Sequence, residues 1–318
     1  MRPIPVDDIR PVLVTDPRWT DEGVELDLEL SVVKVDDDTG RLRPVLDACD
    51  GRRSVLELTT EFGPDARGLI DELLGAGALV DVEQGWRRFH RLSGNPPPVG
   101  RATSDAEVSE LMSERFAPPE PLGDPVPLEA AASEVGRAAR RRSSALPGPE
   151  PRPLRWEQLG ALLSVAYGRA SVGWFTVPSG GALYPIVVHV LVRKPIGPLE
   201  PGVWWYDHWR GELRQQRPGR PDIEPLVLSH PVTDPLVARD EPILAVSADL
   251  ARPCRKYGGR GYRFALMETG AVMQSAYLVG AELDLPVRAC AGYHDAGVNA
   301  LLGHRDSVVC TLLLFVGA

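Results

Sequence analysis

Lysine is almost absent from this 318-residue chain: of its 35 basic residues only Lys34, Lys194 and Lys256 are lysines, and the rest are arginines. An arginine keeps its proton at any working pH, whereas a lysine can be tuned to lose it. Histidine aside, proton transfer by a basic side chain is therefore confined to three positions. Other absences narrow the field further. No GxGxxG opens a helix after a strand and no GxxxxGK[ST] loop occurs, which argues against a dinucleotide fold or a P-loop NTPase. There is no GxSxG elbow and no HExxH. The six histidines form no pair at i, i+4, so no metal site is expected. The four cysteines (Cys49, Cys254, Cys290, Cys310) make no CxxC, which favours reduced thiols in a cytoplasm over zinc or disulfides. No run nears the roughly 18 apolar residues of a membrane span. The N-terminus "MRPIPVDDIRPVLV" lacks the basic start and apolar stretch of a signal peptide.

What is present divides by charge. Residues 1–130 carry 27 Asp and Glu against 14 Arg and Lys, a balance of −13; residues 131–318 carry 17 against 21, or +4. The acidic part is unsuited to nucleic acid, which needs a basic footprint. Within it, "VELDLELSVVKV" (24–35) alternates as one half-buried strand. Three helical patterns follow: "LRPVLDAC", "SVLELTTEF" with Ser54 and Glu57 spaced as a capping box, and "DARGLIDELLGAG". "ALVDVEQGWRRFH" (78–90) reads as a two-stranded hairpin. Three small helices and a hairpin predict a winged-helix-like module over residues 1–92, suited to a peptide or protein partner. Residues 93–130, with "GNPPPVG" and "APPEPLGDPVP", read as a proline-rich linker holding one short helix in "SDAEVSELMSERF". Residues 131–318 mix helices and strands without repeated βαβ units, which predicts an α+β domain. Its longest helix, "RFALMETGAVMQSAYLVGAELDL", is apolar almost all round and is expected to be deeply buried.

Three stretches in this second part could carry chemistry, and each has a bland counterpart. "RRRSS" (140–144) suits a phosphate through arginine and hydroxyl hydrogen bonds, and equally suits a solvated basic helix end. "VPSGGALYP" (177–185) has glycines that let backbone approach a flat ligand, or form an ordinary turn. "CRKYGGRGYRF" (254–264) sets Lys256 beside Tyr257 as a candidate for proton chemistry, or as a solvated loop lysine.

In this order and spacing the stretches resemble the FMN-dependent nitroreductase superfamily. More closely they resemble its SagB-type, azoline-oxidising branch from thiazole/oxazole peptide biosynthesis. The resemblance covers about residues 135–318. It implies a nitroreductase-like FMN fold, with a central mixed or antiparallel sheet flanked by helices. It also implies that Arg141, Arg142 and Ser143 hold the flavin phosphate and ribityl chain. The loop of Pro178, Ser179, Gly180, Gly181, Ala182 and Leu183 would line the flavin. Glu268, Gly270 and Gln274 match the ExGxxxQ of the long central helix, and Gly292 the glycine turn facing flavin N5. Lys256 and Tyr257 match the branch's catalytic pair. The sequence departs from the family at "AGYH", where Gly-Gly-Phe is common, and at Ser275, where Asn often stands.

The reaction so implied removes a proton from the former α-carbon and a hydride from the former β-carbon of a thiazoline or oxazoline, leaving the aromatic ring. FMN is the hydride acceptor and Lys256 the base, provided burial lowers its pKa. The expected partners are an azoline-containing precursor peptide and a cyclodehydratase complex, in a cytoplasmic homodimer with neither nucleic acid nor membrane. Two alternatives share the fold: oxidation of a thiazoline on a nonribosomal carrier protein, and NAD(P)H-dependent nitro reduction. A third reading is a partner-binding scaffold without activity.

Overall fold

In the computed structural model the described residues are 5–28, 31–37, 40–92, 106, 109, 133–144, 153–170, 174–228, 240–304 and 307–317. The proline-rich linker and its expected short helix lie almost wholly outside them.

The N-terminal part begins with strands. β1 (Pro11–Leu13) pairs with β5 (Leu79–Asp81), while β2 (Arg18–Trp19), β3 (Gly23–Leu28) and β4 (Ser31–Asp36) form a three-stranded antiparallel sheet. The single strand expected over 24–35 is therefore two strands paired as a hairpin, with Leu28 opposite Ser31. Alternation on both sides of the turn concealed the reversal, because both arms of a hairpin keep the same period of two, and its only trace is the phase shift at Val32–Val33. α1 (Leu42–Ala48), α2 (Val55–Phe62) and α3 (Pro64–Gly75) follow. Ser54 caps α2 as its spacing predicts: its hydroxyl accepts from the Glu57 N–H, and the Glu57 carboxylate accepts from the Ser54 N–H at 2.7 Å. Leu26, Leu46, Leu58, Ile70 and Leu73 form the centre of this part's core.

The hairpin expected over 78–90 does not form. After β5 the chain makes a 3-10 turn (Val82–Gln84), capped by the Asp81 carboxylate, and enters α4 (Trp86–Leu92). Trp86 drives this outcome by burying its ring in the C-terminal core, 3 % exposed and stacked on Tyr262 at 6.1 Å. His90 adds a 3.2 Å contact from Nδ1 to Tyr262 Oη.

The C-terminal part is an α+β domain around a six-stranded antiparallel sheet in the order β10-β11-β9-β6-β7-β8. Its strands are β6 (Ile186–Val192), β7 (Gly202–Asp207), β8 (Glu212–Pro218), β9 (Ile243–Asp249), β10 (Val287–Cys290) and β11 (Val308–Val316). Its described helices are α5 (Glu134–Arg141), α6 (Trp156–Tyr167), α7 (Ala251–Tyr257), α8 (Arg260–Glu282) and α9 (Asp295–Leu302). The central strands alternate between two buried faces. Leu244, Val246, Leu312 and Leu314 pack towards α6 and α8, whereas Ile243, Ala245, Leu313 and Phe315 pack towards α9. Among the described residues no helix is long and apolar enough to cross a membrane, and no cluster of His, Cys, Asp and Glu could hold a metal ion.

The fold also buries three imidazoles: His189, His208 and His304 all have pKa values pushed down to about 4, chiefly by burial. They are neutral in the folded chain, while the unfolded chain takes up protons near 6.5. Stability is therefore complete above that pH and falls as pH drops towards 4. A urea midpoint lower at pH 5 than at pH 7.5 is expected; equal midpoints would show that these rings titrate freely in the fold.

Candidate active site

Sheet topology brings the glycine loop to the lysine. β6 and β9 are antiparallel neighbours, with Ile186 opposite Ala248, so the loop entering β6 and the helix leaving β9 share one edge. The Asp249 N–H donates to the Pro185 carbonyl at 2.8 Å and ties them together. α7 then carries Lys256 and Tyr257 as its last two residues before Gly258 ends it at φ +57°. The sequence showed no periodicity here, because seven residues with Pro253 in the first turn make too short a pattern.

The loop itself is tightly wound. Gly181, Ala182 and Tyr184 all sit at positive φ, at 66°, 54° and 47°. Two of these are not glycine, and backbone of this kind collects at functional sites. It is fixed from below. The Ser179 hydroxyl accepts from the Tyr184 N–H at 2.8 Å and hydrogen-bonds Glu268. Tyr167 donates to Glu268 Oε1 at 2.8 Å and accepts from the Ile186 N–H at 3.2 Å. Burial holds the Glu268 carboxyl above its ordinary pKa, and the bonds from Ser179 and Tyr167 oppose that rise. Glu268 thus positions the loop, and Tyr167 is a member of the network that no motif marked.

Above this base the backbone of Gly180 and Gly181 is exposed. A Cβ on Gly181 would overlap Tyr257 Oη and lie 2.7 Å from Lys256 Nζ; one on Gly180 would press the Phe264 ring at 3.2 Å. The Tyr257 ring meets Phe264 edge-on at 5.0 Å, and Lys256 Nζ stands 5.0 Å from the Tyr257 ring centre. Lys256 is exposed and Tyr257 half-buried. The burial expected for Lys256 is not supplied by this chain alone. Cys254, on the same helix, is no rival nucleophile, because burial pushes its thiol up to about 11.

Of the other expected residues, Arg142, with Arg141 and Ser143 on either side of it, belongs to a second cluster. Arg142 donates to the Ser144 hydroxyl at 2.9 Å and lies 5.4 Å from the Tyr277 ring, and Ser144 donates to Tyr277 Oη at 3.0 Å. Arg288, on β10, donates to the Ser144 carbonyl, and its buried Nε has no hydrogen-bond partner. Arg141 and Ser143 are exposed beside them. Gly292 follows β10, and its carbonyl accepts from the Leu228 N–H at 2.8 Å. Sequence reasoning missed β10, whose four residues carry no alternation, and Arg288 with it.

α8 joins the two clusters. From Phe264 to Tyr277 it advances roughly 20 Å at 1.5 Å per residue. Between them it is not buried all round, as its composition predicts: Met267 is 66 % and Leu266 42 % exposed, and Gln274 also faces outward. The two ends suit a flavin mononucleotide chemically. One offers glycine backbone and aromatic faces to a flat ring, and the other offers guanidinium and hydroxyl donors to a phosphate. With Arg141 and Arg142 both changed to Ala, FMN should bind more weakly, at about 1.5–3 kcal/mol per charged contact. Riboflavin, which has no phosphate, should be unaffected. Fluorescence titration of both ligands checks this, and equal losses for the two would place the arginines elsewhere.

Comparison with known proteins agrees with this architecture. A Methanocaldococcus jannaschii protein named as a nitroreductase is 32 % identical over 155 residues, covering 48 % of this chain and 77 % of its own. The Escherichia coli microcin B17-processing protein McbC is 42 % identical over 59 residues, 19 % of this chain and 22 % of its own. Among solved structures, the E. coli microcin synthetase McbBCD complex with truncated pro-MccB17 bound aligns with TM-score 0.55 at 21 % identity, covering 74 % of this chain and 92 % of the other. A Ralstonia eutropha nitroreductase aligns with TM-score 0.50 at 20 % identity, covering 61 % and 86 %. These two structural matches are likenesses of fold. Residues 150–317, more than half of the sequence, match the Nitroreductase family, and the chain belongs to that family of oxidoreductases.

Proposed function

We propose that the protein is an FMN-dependent azoline oxidase, converting thiazolines or oxazolines of a precursor peptide into thiazoles or oxazoles. The observation that carries this reading is the placement of Lys256 and Tyr257 directly against Gly181 of the flavin loop. Nitro reduction with a nicotinamide donor gives a lysine no evident task there, whereas azoline oxidation requires a base. The identity to McbC and the fold shared with the McbBCD complex support the same choice.

FMN supplies the hydride acceptor when bound. Arg141, Arg142 and Arg288 would hold its phosphate end, and the backbone from Pro178 to Leu183 would face its ring. Lys256 Nζ takes the proton from the former α-carbon. Tyr257 Oη orients that amine or the ring nitrogen. The carbon–carbon double bond forms as the hydride leaves the neighbouring carbon, and the ring becomes aromatic.

The same reading gives the exposed stripe of α8 a role. Two clusters in one chain, with Leu266 and Met267 uncovered between them, fit a homodimer in which α8 packs against its twin. Each flavin would lie at that interface, and the partner protomer would provide the burial that Lys256 lacks. The wild type should be a dimer by light scattering. Met267→Glu should shift it to monomer and release FMN; a monomer that retains FMN would refute this arrangement.

The decisive experiment mixes the FMN-loaded protein with a synthetic peptide thiazoline and follows loss of two hydrogen atoms by mass spectrometry. A protein that reduces nitroarenes with NADPH but leaves thiazoline intact is a nitroreductase, and the proposal fails.

A further inference from the structure

We propose that the outer face of α7, where Arg252 and Arg255 stand beside Lys256, selects substrate peptides with a carboxylate side chain close to the azoline, two to four positions from the reacting ring. This deepens the azoline-oxidase reading, on which the identity of that peptide as the substrate rests.

Charge is unevenly spread around the site. From residue 250 to residue 267 the chain carries five cations, Arg252, Arg255, Lys256, Arg260 and Arg263, and no Asp or Glu. All five are exposed. Among the described residues none of the four arginines makes a hydrogen bond or an ion pair. Other arginines of this domain are matched: Arg193 pairs with Glu224, Arg214 with Asp207 and Arg220 with Asp240. The acids bordering α7 are occupied elsewhere. Asp249 accepts from the Ala251 N–H and the Ser307 hydroxyl, and Glu268 is buried beneath the glycine loop with Tyr167. The 3-10 turn that touches α7 carries Glu83, which forms no ion pair with these arginines.

Helix geometry gathers the charges on one side. Pro253 and Cys254 are buried, so the face they share is the inner one. Arg252, Arg255 and Lys256 follow the spacing i, i+3 and i+4, which makes them neighbours on the outer face, with Cβ atoms about 5–6 Å apart. Arg252 stands one turn back from Lys256, roughly 6 Å along the axis. An extended peptide advances about 3.3 Å per residue and returns a side chain to the same side every second residue. With the azoline at Lys256, a carboxylate two to four positions away therefore comes within reach of Arg252 or Arg255. The planar guanidinium matches a carboxylate through two parallel hydrogen bonds.

Position and charge together select this occupant. Arg260 and Arg263 open α8, beside the Leu266 and Met267 stripe assigned to the twin helix, which leaves Arg252 and Arg255 for the substrate. Any peptide that presents an azoline to Lys256 must continue past this face. The whole chain carries a net charge of −9, so a nucleic acid or an anionic membrane would be repelled beyond so small a basic patch.

The test uses the FMN-loaded full chain and short thiazoline peptides that carry Asp, Asn or Lys two to four positions before or after the ring. The wild type should favour Asp over Lys by roughly tenfold in kcat/KM, since Lys sets like charges side by side. The preference should shrink as salt rises, because exposed charges are screened beyond about 10 Å at 0.1 M. Arg252→Gln with Arg255→Gln should level the series, and Arg252→Glu with Arg255→Glu should invert it. Arg43→Glu with Arg217→Glu, the same charge change on α1 and β8, should keep the wild-type order. A wild type without preference would overturn the proposal, and so would equal effects of the two Glu pairs, which would reduce it to general attraction. A carrier-tethered thiazoline oxidised faster than any peptide, with the advantage lost in the Gln pair, would make a carrier protein the occupant instead. Assembly beyond the dimer that the Gln pair dissolves would make it the acidic module of a second copy. Anisotropy with labelled peptides that hold the finished thiazole repeats the comparison without turnover. Tighter binding of the Asp peptide through Arg252 and Arg255 with no thiazoline oxidised would sink the activity and keep the face. Oxidation with no charge preference would keep the activity and sink the face.

Discussion

Changing Lys256 to Ala should lower azoline oxidation by roughly 10²–10⁴-fold, the usual range for loss of a general base, while FMN content and oligomeric state are unchanged. The structure supports this separation of effects. Lys256 is exposed at the end of α7, so its removal should leave the fold intact. Its neighbours are Tyr257 and the backbone of Gly181, the place where a flat ring would be approached. Lys256→Arg should fare little better than Ala, because a guanidinium keeps its proton. Tyr257→Phe retains the edge-on contact with Phe264 and loses only the hydroxyl, so its smaller defect measures the orienting role. Rate profiles against pH add a readout that a structural role would not move: the rising limb should disappear in Lys256→Ala. A flavin-loaded Lys256→Arg enzyme with near-normal turnover would leave the lysine as positive charge alone, and the proton would need another acceptor.

The second part of the chain is readable in the sequence because its signals are local and repeated. Strands β6, β9 and β11 are apolar runs bounded by turn residues, and both faces of each are buried, so their identity survives any error in pairing. The glycine loop and the Lys-Tyr pair stand out by composition. What the sequence does not show is that they touch. That contact depends on the antiparallel register of β6 against β9, a relation between residues about 60 positions apart. Nor does composition show that the expected flavin residues fall into two clusters. α8 has an apolar stripe on each side, and only packing reveals which one this chain covers itself. Glu268 is legible as a motif letter, but its work, holding Ser179 through a buried carboxyl, needs Tyr167 from a helix 101 residues away. The hairpin expected over 78–90 is absent for a simpler reason. Trp86 reads as a strand residue by propensity, and burial against Tyr262 outweighs propensity.

Gly181→Ala should be the most damaging small substitution in the loop, and the reason is geometric. The residue sits at φ +66°, ψ 24°, where an L side chain costs roughly 1–2 kcal/mol. Its new methyl would also occupy the space of Tyr257 Oη and crowd Lys256 Nζ. Lysine can swing its amine aside cheaply. Tyrosine can move its hydroxyl only by rotating a ring that packs on Phe264. Both catalytic candidates would be displaced together, and a shift of about 1 Å can cost 10²-fold in rate. Gly303 separates the two causes. It has nearly the same backbone, at φ +69°, caps α9, and has open space where its Cβ would go. Gly303→Ala should therefore lower the melting temperature by the strain alone and leave azoline oxidation near normal. Gly181→Ala should show a similar loss of stability with a fall in turnover of roughly 10²-fold or more. Gly180→Ala should lie between them, because its methyl meets only the Phe264 ring at 3.2 Å. If Gly181→Ala turns over thiazoline as fast as Gly303→Ala, then the loop does not brace the Lys-Tyr pair, and the contact that supports the proposed chemistry carries no function.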